Sequence, residues 1–150
     1  MNKTASICVL TVFAGVVLVA AIAAPNVLSD DNGFLRSFVG AEFLSILGVI
    51  LAITLASSGQ LHLAFNQIEE RLKQEGLAKT RAAVRTDTYA LIVLFLLAIA
   101  VVVVKSLLAF TLWAQTLFNG AALLILVWNV LLLISLTRTI FAIPPMIDDG

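Results

Sequence analysis

The sequence predicts an all-α integral membrane protein with four transmembrane helices, the second and third extended into a cytoplasmic helical hairpin. Four long runs without a charged residue support this, at residues 5–24, 43–61, 88–104 and 106–137. Roughly 20 apolar helical residues cross a bilayer, and a helix satisfies its own backbone hydrogen bonds there. The composition agrees, because 61% of the 150 residues are hydrophobic and only 12% are charged, against about a quarter charged in soluble domains.

The first helix is predicted over residues 4–24, because Pro25 and Asn26 follow the first apolar run. This run, with Ala-Ile-Ala at 21–23, is also similar to a secretory signal with a cleavage site. Signal cores usually have 7–15 residues, so the longer run here favours a membrane helix over that alternative. Turn-forming residues at 29–33 then predict a loop.

The second helix is predicted over residues 40–75. Its apolar run fades near Ser58, but apolar residues continue at helical spacing to Leu72, and Gly76 is a natural helix end. The helix is therefore expected to leave the bilayer and to return as a third helix over residues 78–111.

The last uncharged run, of residues 106–137, is too long for one upright crossing. Polar and glycine residues within 113–120 predict a turn, and we place the fourth helix at residues 119–141, ended by Pro144 and Pro145. The whole chain, residues 1–150, is then a single membrane domain without an internal repeat.

Basic residues predict the orientation, because they concentrate on the cytoplasmic side of membrane proteins. With both termini inside, seven lie inside and two outside. The inside set is Lys3, Arg71, Lys73, Lys79, Arg81, Arg85 and Arg138, and the outside set is Arg36 and Lys105. Both termini are therefore predicted to be cytoplasmic, in a bacterial inner membrane.

The sequence offers little for catalysis. It contains one histidine, His62, one cysteine, Cys8, and no glycine-rich phosphate loop. Glu69 and Glu70 are adjacent, so they diverge on a helix rather than converge. We predict no enzyme activity, no metal site and no cofactor.

A polar stripe on the second helix is the main candidate for a functional surface. Thr54, Ser58, His62 and Asn66 recur every four residues and so share one helix face. Polar side chains at membrane depth usually face a bundle interior or a water-filled cavity. The stripe is therefore a candidate pore lining. The alternative is a packing face, because Ser and Thr also hydrogen-bond between helices and to their own backbone.

Other polar residues have two interpretations each. Glu42 could form a carboxylate ring at the outer mouth of a pore, or be an ordinary interfacial carboxylate. Asn129 could narrow a pore or hydrogen-bond between helices, the latter being favoured. Lys105 is expected to be an anchor that snorkels to the outer interface. A second face of the second helix, with small residues at Gly48, Ala52, Ala56 and Gly59, predicts close helix packing.

The predicted hairpin carries Lys79, Arg81 and Arg85. The preference of basic residues for the cytoplasmic side is sufficient to explain these three residues. In a ring of subunits, however, the copies of these residues would together form a basic collar. Such a collar could bind an anionic ligand such as a nucleotide or oligonucleotide through its phosphates.

In layout, with two membrane helices extended into a cytoplasmic basic hairpin over about residues 40–110, the chain resembles small bacterial membrane effectors of antiphage systems. That resemblance implies an oligomeric pore gated by a nucleotide-type signal. The match is one of layout and size, so no family residue is carried over, and the chain departs from it in lacking a sizeable soluble sensor domain. We therefore expect a homo-oligomeric ion channel gated at the hairpin. The alternative is a non-conducting accessory or assembly subunit of a larger membrane complex.

Overall fold

The computed structural model of the protein describes residues 3–72 and 78–141, and these form helices without a strand. The helices are α1 Lys3–Ala23, α2 Pro25–Leu28, α3 Gly33–Ser37, α4 Phe43–Leu72, α5 Ala78–Leu108 and α6 Leu112–Phe141. Four helical segments, built around α1, α4, α5 and α6, are long and apolar enough to cross a membrane, as predicted. The predicted helix end at Gly76 and the predicted stop at Pro144 and Pro145 lie outside the described residues.

The connection between α1 and α4 contains two short helices and a kink. Pro25 occupies the first position of α2, where its missing N–H costs nothing. The Asn32 side chain accepts a hydrogen bond from the Phe34 backbone N–H and so caps α3. Val39 and Gly40 then depart from helical dihedrals. This kink explains why α4 begins at Phe43 rather than at the predicted residue 40.

The predicted boundary between the third and fourth helices was wrong. The turn lies at residues 109–111, and α6 begins at Leu112 rather than at 119. The Thr111 hydroxyl accepts a hydrogen bond from the Ala114 N–H at 3.2 Å, so Thr111 caps the start of α6. Asn119 and Gly120, which suggested the turn, are instead buried inside α6.

The core lies where α4, α5 and α6 meet. It contains Phe43 and Leu47 of α4, Leu94 and Ala98 of α5, and Ala122 and Ile125 of α6. The first helix, α1, packs against α6. Gly120 of α6 makes this approach possible, because a Cβ there would lie only 2.9 Å from Val17 Cγ1. Many of the exposed side chains of α1 are large and apolar, and Thr4, Cys8, Thr11 and Gly15 are exposed beside them.

Candidate functional site

The half of the polar stripe that lies within the apolar run of α4 faces α5. Thr54 is buried, and its hydroxyl donates to the Ile50 carbonyl one turn back at 2.8 Å. The Ser58 and Thr88 hydroxyl oxygens are 3.0 Å apart across the α4–α5 interface. Because the Thr88 hydroxyl donates to the Val84 carbonyl, Ser58 is the donor in this pair. For Thr54 and Ser58 the placement favours the packing interpretation within one chain.

The other half of the stripe is exposed and reaches a basic cluster. His62 and Asn66 are both exposed. The Asn66 side-chain oxygen accepts a hydrogen bond from Arg81 Nη2 at 3.0 Å, and the same nitrogen lies 2.6 Å from a Glu69 carboxylate oxygen. Arg81 therefore clamps α4 to α5 at this end of the molecule.

The two other cations of the predicted collar are placed differently from Arg81. Lys79 and Arg85 are exposed on the first turns of α5. Arg85 lines a groove between α4 and α5 together with Arg81, whereas Lys79 is not among the lining residues. The side of α5 toward α6 is also fixed at this end, because Ser135 donates a hydrogen bond to the Asp87 carboxylate at 2.8 Å.

The groove between α4 and α5 has a volume of about 550 Å³. It places His62, Arg81, Arg85 and Tyr89 beside mostly apolar walls. The Ser58–Thr88 pair also lines it. Within the described residues, no group of three His, Cys, Asp or Glu side chains could hold a metal ion. The groove therefore combines two guanidinium groups with an apolar surface.

The remaining predicted site residues lie apart from the groove. Asn129 is buried in the bundle, with its side-chain nitrogen 3.5 Å from the Ile125 carbonyl of its own helix. Glu42 is exposed at the last position of the kinked segment that precedes α4.

A buried ion pair at the opposite end of the bundle was missed by the sequence reasoning. Lys105 is only 8% exposed, and its Nζ lies 2.8 Å from the Asp30 carboxylate. Asn119 is fully buried and donates to the same carboxylate at 3.0 Å and to the Leu28 carbonyl at 2.8 Å. The prediction that Lys105 is a snorkelling anchor was therefore wrong. Its ammonium group is held inside the protein, because a carboxylate is in reach there.

Asp30 lies in the non-helical turn between α2 and α3, outside the membrane-spanning helices. Burial disfavours its charged form, but hydrogen bonds from Lys105 and Asn119 and the charges of Lys105 and Arg36 outweigh burial. The pKa of Asp30 is therefore lowered from its ordinary value of 3.8. The stabilisation is complete above that ordinary value and is lost as the pH falls through the lower folded pKa.

The exposed face of α4 differs in composition from the exposed face of α5. We call it the outer α4 face and define it by Ser45, Val49, Ala52, Ala56, Gln60 and Leu63, which recur every three or four residues and are all exposed. Four of the six are small or uncharged polar residues. The comparable face of α5 has mostly large apolar side chains, with Val93, Leu96, Val103 and Leu107 each at least half exposed and Ala100 as the small exposed residue among them.

The fold and these surfaces define a helical protein suited to cross a membrane several times. No protein-family model, curated protein or solved structure matches the chain.

Proposed function

We propose that the protein is a homo-oligomeric ion channel of the bacterial inner membrane, with the outer α4 faces of several copies around a central path. The observation that carries this proposal is the composition of that face. Ser45, Ala52, Ala56 and Gln60 are exposed on it, whereas the exposed face of α5 consists mainly of large apolar residues.

The physical reason is the cost of exposing polar groups to lipid. Gln60 follows Ser58, which contacts Thr88 at the start of the uncharged run of α5, so its amide lies near the bilayer edge, where it favours water or another protein surface over hydrocarbon. Small residues such as Ala52 and Ala56 let helices approach closely, and they are enriched where membrane helices meet. A face that carries both small and polar residues can pack against other copies and can also line a narrow polar path.

The gate is proposed to lie at the basic end, in the predicted hairpin of α4 and α5. Arg81 holds the two helices together through Glu69 and Asn66. An anionic ligand, with a nucleotide or oligonucleotide as the expected class, would compete with Glu69 for Arg81 and bind the exposed Lys79 and Arg85. Breaking the contacts of Arg81 with Glu69 and Asn66 would change the packing of α4 against α5. The shape of the central path between the copies would change with it. The layout resemblance to antiphage effectors agrees with such a gate.

Cross-linking between copies tests the role of the outer α4 face. In a Cys8→Ser background, Ala56→Cys is expected to form disulfide-linked dimers under mild oxidation and to lower ion flux in liposomes. Ala100→Cys is the matched control, because Ala100 is an exposed alanine at membrane depth on α5. Equal cross-linking of both variants, or none at Ala56→Cys in a protein that conducts, would contradict the proposal.

A non-conducting accessory subunit is the second candidate, and a specific observation favours it. Thr54 and Ser58, which were predicted to line the path, make their hydrogen bonds within the chain. In this alternative the outer α4 face would pack against a larger partner. A purified protein that is monomeric in detergent and carries no flux would favour the subunit, and a defined oligomer with flux would favour the channel.

The proposed orientation, with both termini in the cytoplasm, is tested by thiol labelling in spheroplasts. In the Cys8→Ser background, Asp31→Cys is expected to react with a membrane-impermeant reagent, and Lys79→Cys is expected to react only after the membrane is opened. Both positions are exposed in the structure, whereas Ser29 is fully buried and would report poorly. Labelling of Lys79→Cys from outside would reverse the orientation.

A further inference from the structure

In the groove between α4 and α5 both arginines lie toward one end, whereas apolar residues line its whole length. Arg81 and Arg85 lie on the first turns of α5, and Tyr89 and Ile92 follow one and two turns later. Across the groove, α4 contributes His62 beside the arginines and Leu55 toward the other end. A ligand that fills this groove has to be anionic at one end and apolar at the other.

The charges around the two arginines favour an anion. Among the described carboxylates at this end, Glu69 is bound to Arg81, and Asp87 is held by Ser135 of α6. Arg85 is exposed and lines the groove. Arg81 also lines the groove, with its Nη2 held by Glu69 and Asn66. A phosphate at this place would accept charge-assisted hydrogen bonds from two guanidinium groups, which are strong donors to phosphate.

The position of the groove along α5 corresponds to the edge of a bilayer. Its arginines precede the uncharged run that begins at Thr88, and Tyr89 and Ile92 lie inside that run. Basic pockets between membrane helices on the cytoplasmic side bind anionic lipid headgroups. Tyrosine, here Tyr89, is also typical of the level at which headgroups lie.

We propose that the α4–α5 groove binds a phospholipid with an anionic headgroup, its phosphate at Arg81 and Arg85 and part of one acyl chain along Leu55 and Ile92. The nucleotide-type ligand of the proposed gate would compete with this lipid for Arg81 and Arg85, but it would leave the apolar walls of the groove uncovered. The proposal uses the membrane placement of the proposed function. It does not depend on ion conduction, so an experiment can disprove lipid binding without disproving conduction, and the reverse.

The bound lipid is expected to strengthen the contact between α4 and α5. It would bridge arginines of α5 and apolar residues of α4 at the end where Arg81 already clamps the two helices. Loss of the lipid would leave that end with the clamp alone. The groove would thus couple the anionic lipid content of the membrane to the part of the molecule where the gate is proposed.

Lipid retention by the full-length protein in a non-ionic detergent tests the proposal. Native mass spectrometry should show phosphatidylglycerol bound more tightly than phosphatidylcholine with the same acyl chains. Arg85→Gln should weaken phosphatidylglycerol about tenfold, as expected for one charge-assisted hydrogen bond. Arg138→Gln is the matched control, because Arg138 is an exposed arginine of α6 that does not line the groove.

A second variant tests the apolar lining without changing charge. Gly59 lines the groove, and a Cβ there would meet no atom within 4 Å, so Gly59→Leu should fold and obstruct the acyl chain. It is expected to weaken phosphatidylglycerol binding severalfold. Gly15→Leu on exposed α1, also with open space at the Cβ, should not.

Three outcomes would overturn the lipid proposal. The first is equal retention of phosphatidylglycerol and phosphatidylcholine, and the second is an equal effect of Arg85→Gln and Arg138→Gln. The third is binding of ATP that depends on Arg85 and is unaffected by Gly59→Leu, without retention of phosphatidylglycerol, which would assign the arginines to a soluble nucleotide.

Discussion

Asp30→Asn is expected to lower the free energy of unfolding by about 3 kcal/mol, because it leaves the Lys105 ammonium buried without its counter-charge. This is the lower end of the range for breaking a buried ion pair, since the Asp30 side chain is 25% exposed. The Asn119 amide also loses a charged acceptor. Denaturant unfolding of the purified protein in detergent measures the change.

Asp31→Asn is the matched control for this experiment. Asp31 is the next residue along the chain and is exposed, so removing its charge should change stability little. The double variant Asp30→Asn with Lys105→Met should recover most of the loss, because it removes both charges. Equal effects of the Asp30 and Asp31 substitutions, or a double variant no more stable than Asp30→Asn, would show that the ion pair contributes little.

The ion pair shows what hydropathy can predict and what it misses. Lys105 is the only charged residue between Asp87 and Arg138, which marked it as unusual in the sequence. Nothing local identified Asp30 as its partner, because the two residues come together only when the α2–α3 turn folds against α5 and α6. A lone lysine within a long apolar run is nevertheless a signal that a distant carboxylate is needed.

The stripe on α4 shows the limit of periodicity. A spacing of four correctly grouped Thr54 and Ser58 on one face, but it does not say which neighbour that face meets. The packing of α4 on α5 decides this, and it turns these two residues inward. Ala56 lies roughly 160° around the helix from Thr54 and therefore belongs to the exposed outer α4 face. The path is therefore proposed on the side of α4 opposite to Thr54 and Ser58, which were the predicted pore lining.

The error at the start of α6 has a related cause. Asn and Gly are typical of turns, but a membrane helix also uses them where it contacts other segments closely. Asn119 bonds the α2–α3 turn, and Gly120 makes room for α1. Composition was sufficient to predict the four long apolar helices, whereas these contacts depend on tertiary structure.

Gly120→Ala is expected to destabilise the protein by about 2 kcal/mol through overpacking between α6 and α1. The added Cβ would lie 2.9 Å from Val17 Cγ1, too close for contact without a shift. Valine cannot readily turn away, because a branched side chain has one strongly preferred rotamer in a helix. The same denaturant unfolding experiment measures the loss, and Val17→Ala combined with Gly120→Ala should restore part of it.

Gly48→Ala separates overpacking from the general effect of adding a methyl group to a membrane helix. At Gly48 the added Cβ would meet the Phe95 ring at 3.7 Å, an ordinary contact. Alanine is also the better helix former by about 1 kcal/mol, so this variant should be as stable as the parent or more stable. The added methyl group is thus predicted to lower the free energy of unfolding at Gly120 and to leave it unchanged or raise it at Gly48. If both substitutions stabilise the protein, α1 does not pack tightly against α6. If the Val17→Ala rescue fails while Gly120→Ala destabilises, the strain lies elsewhere than at the Val17 contact.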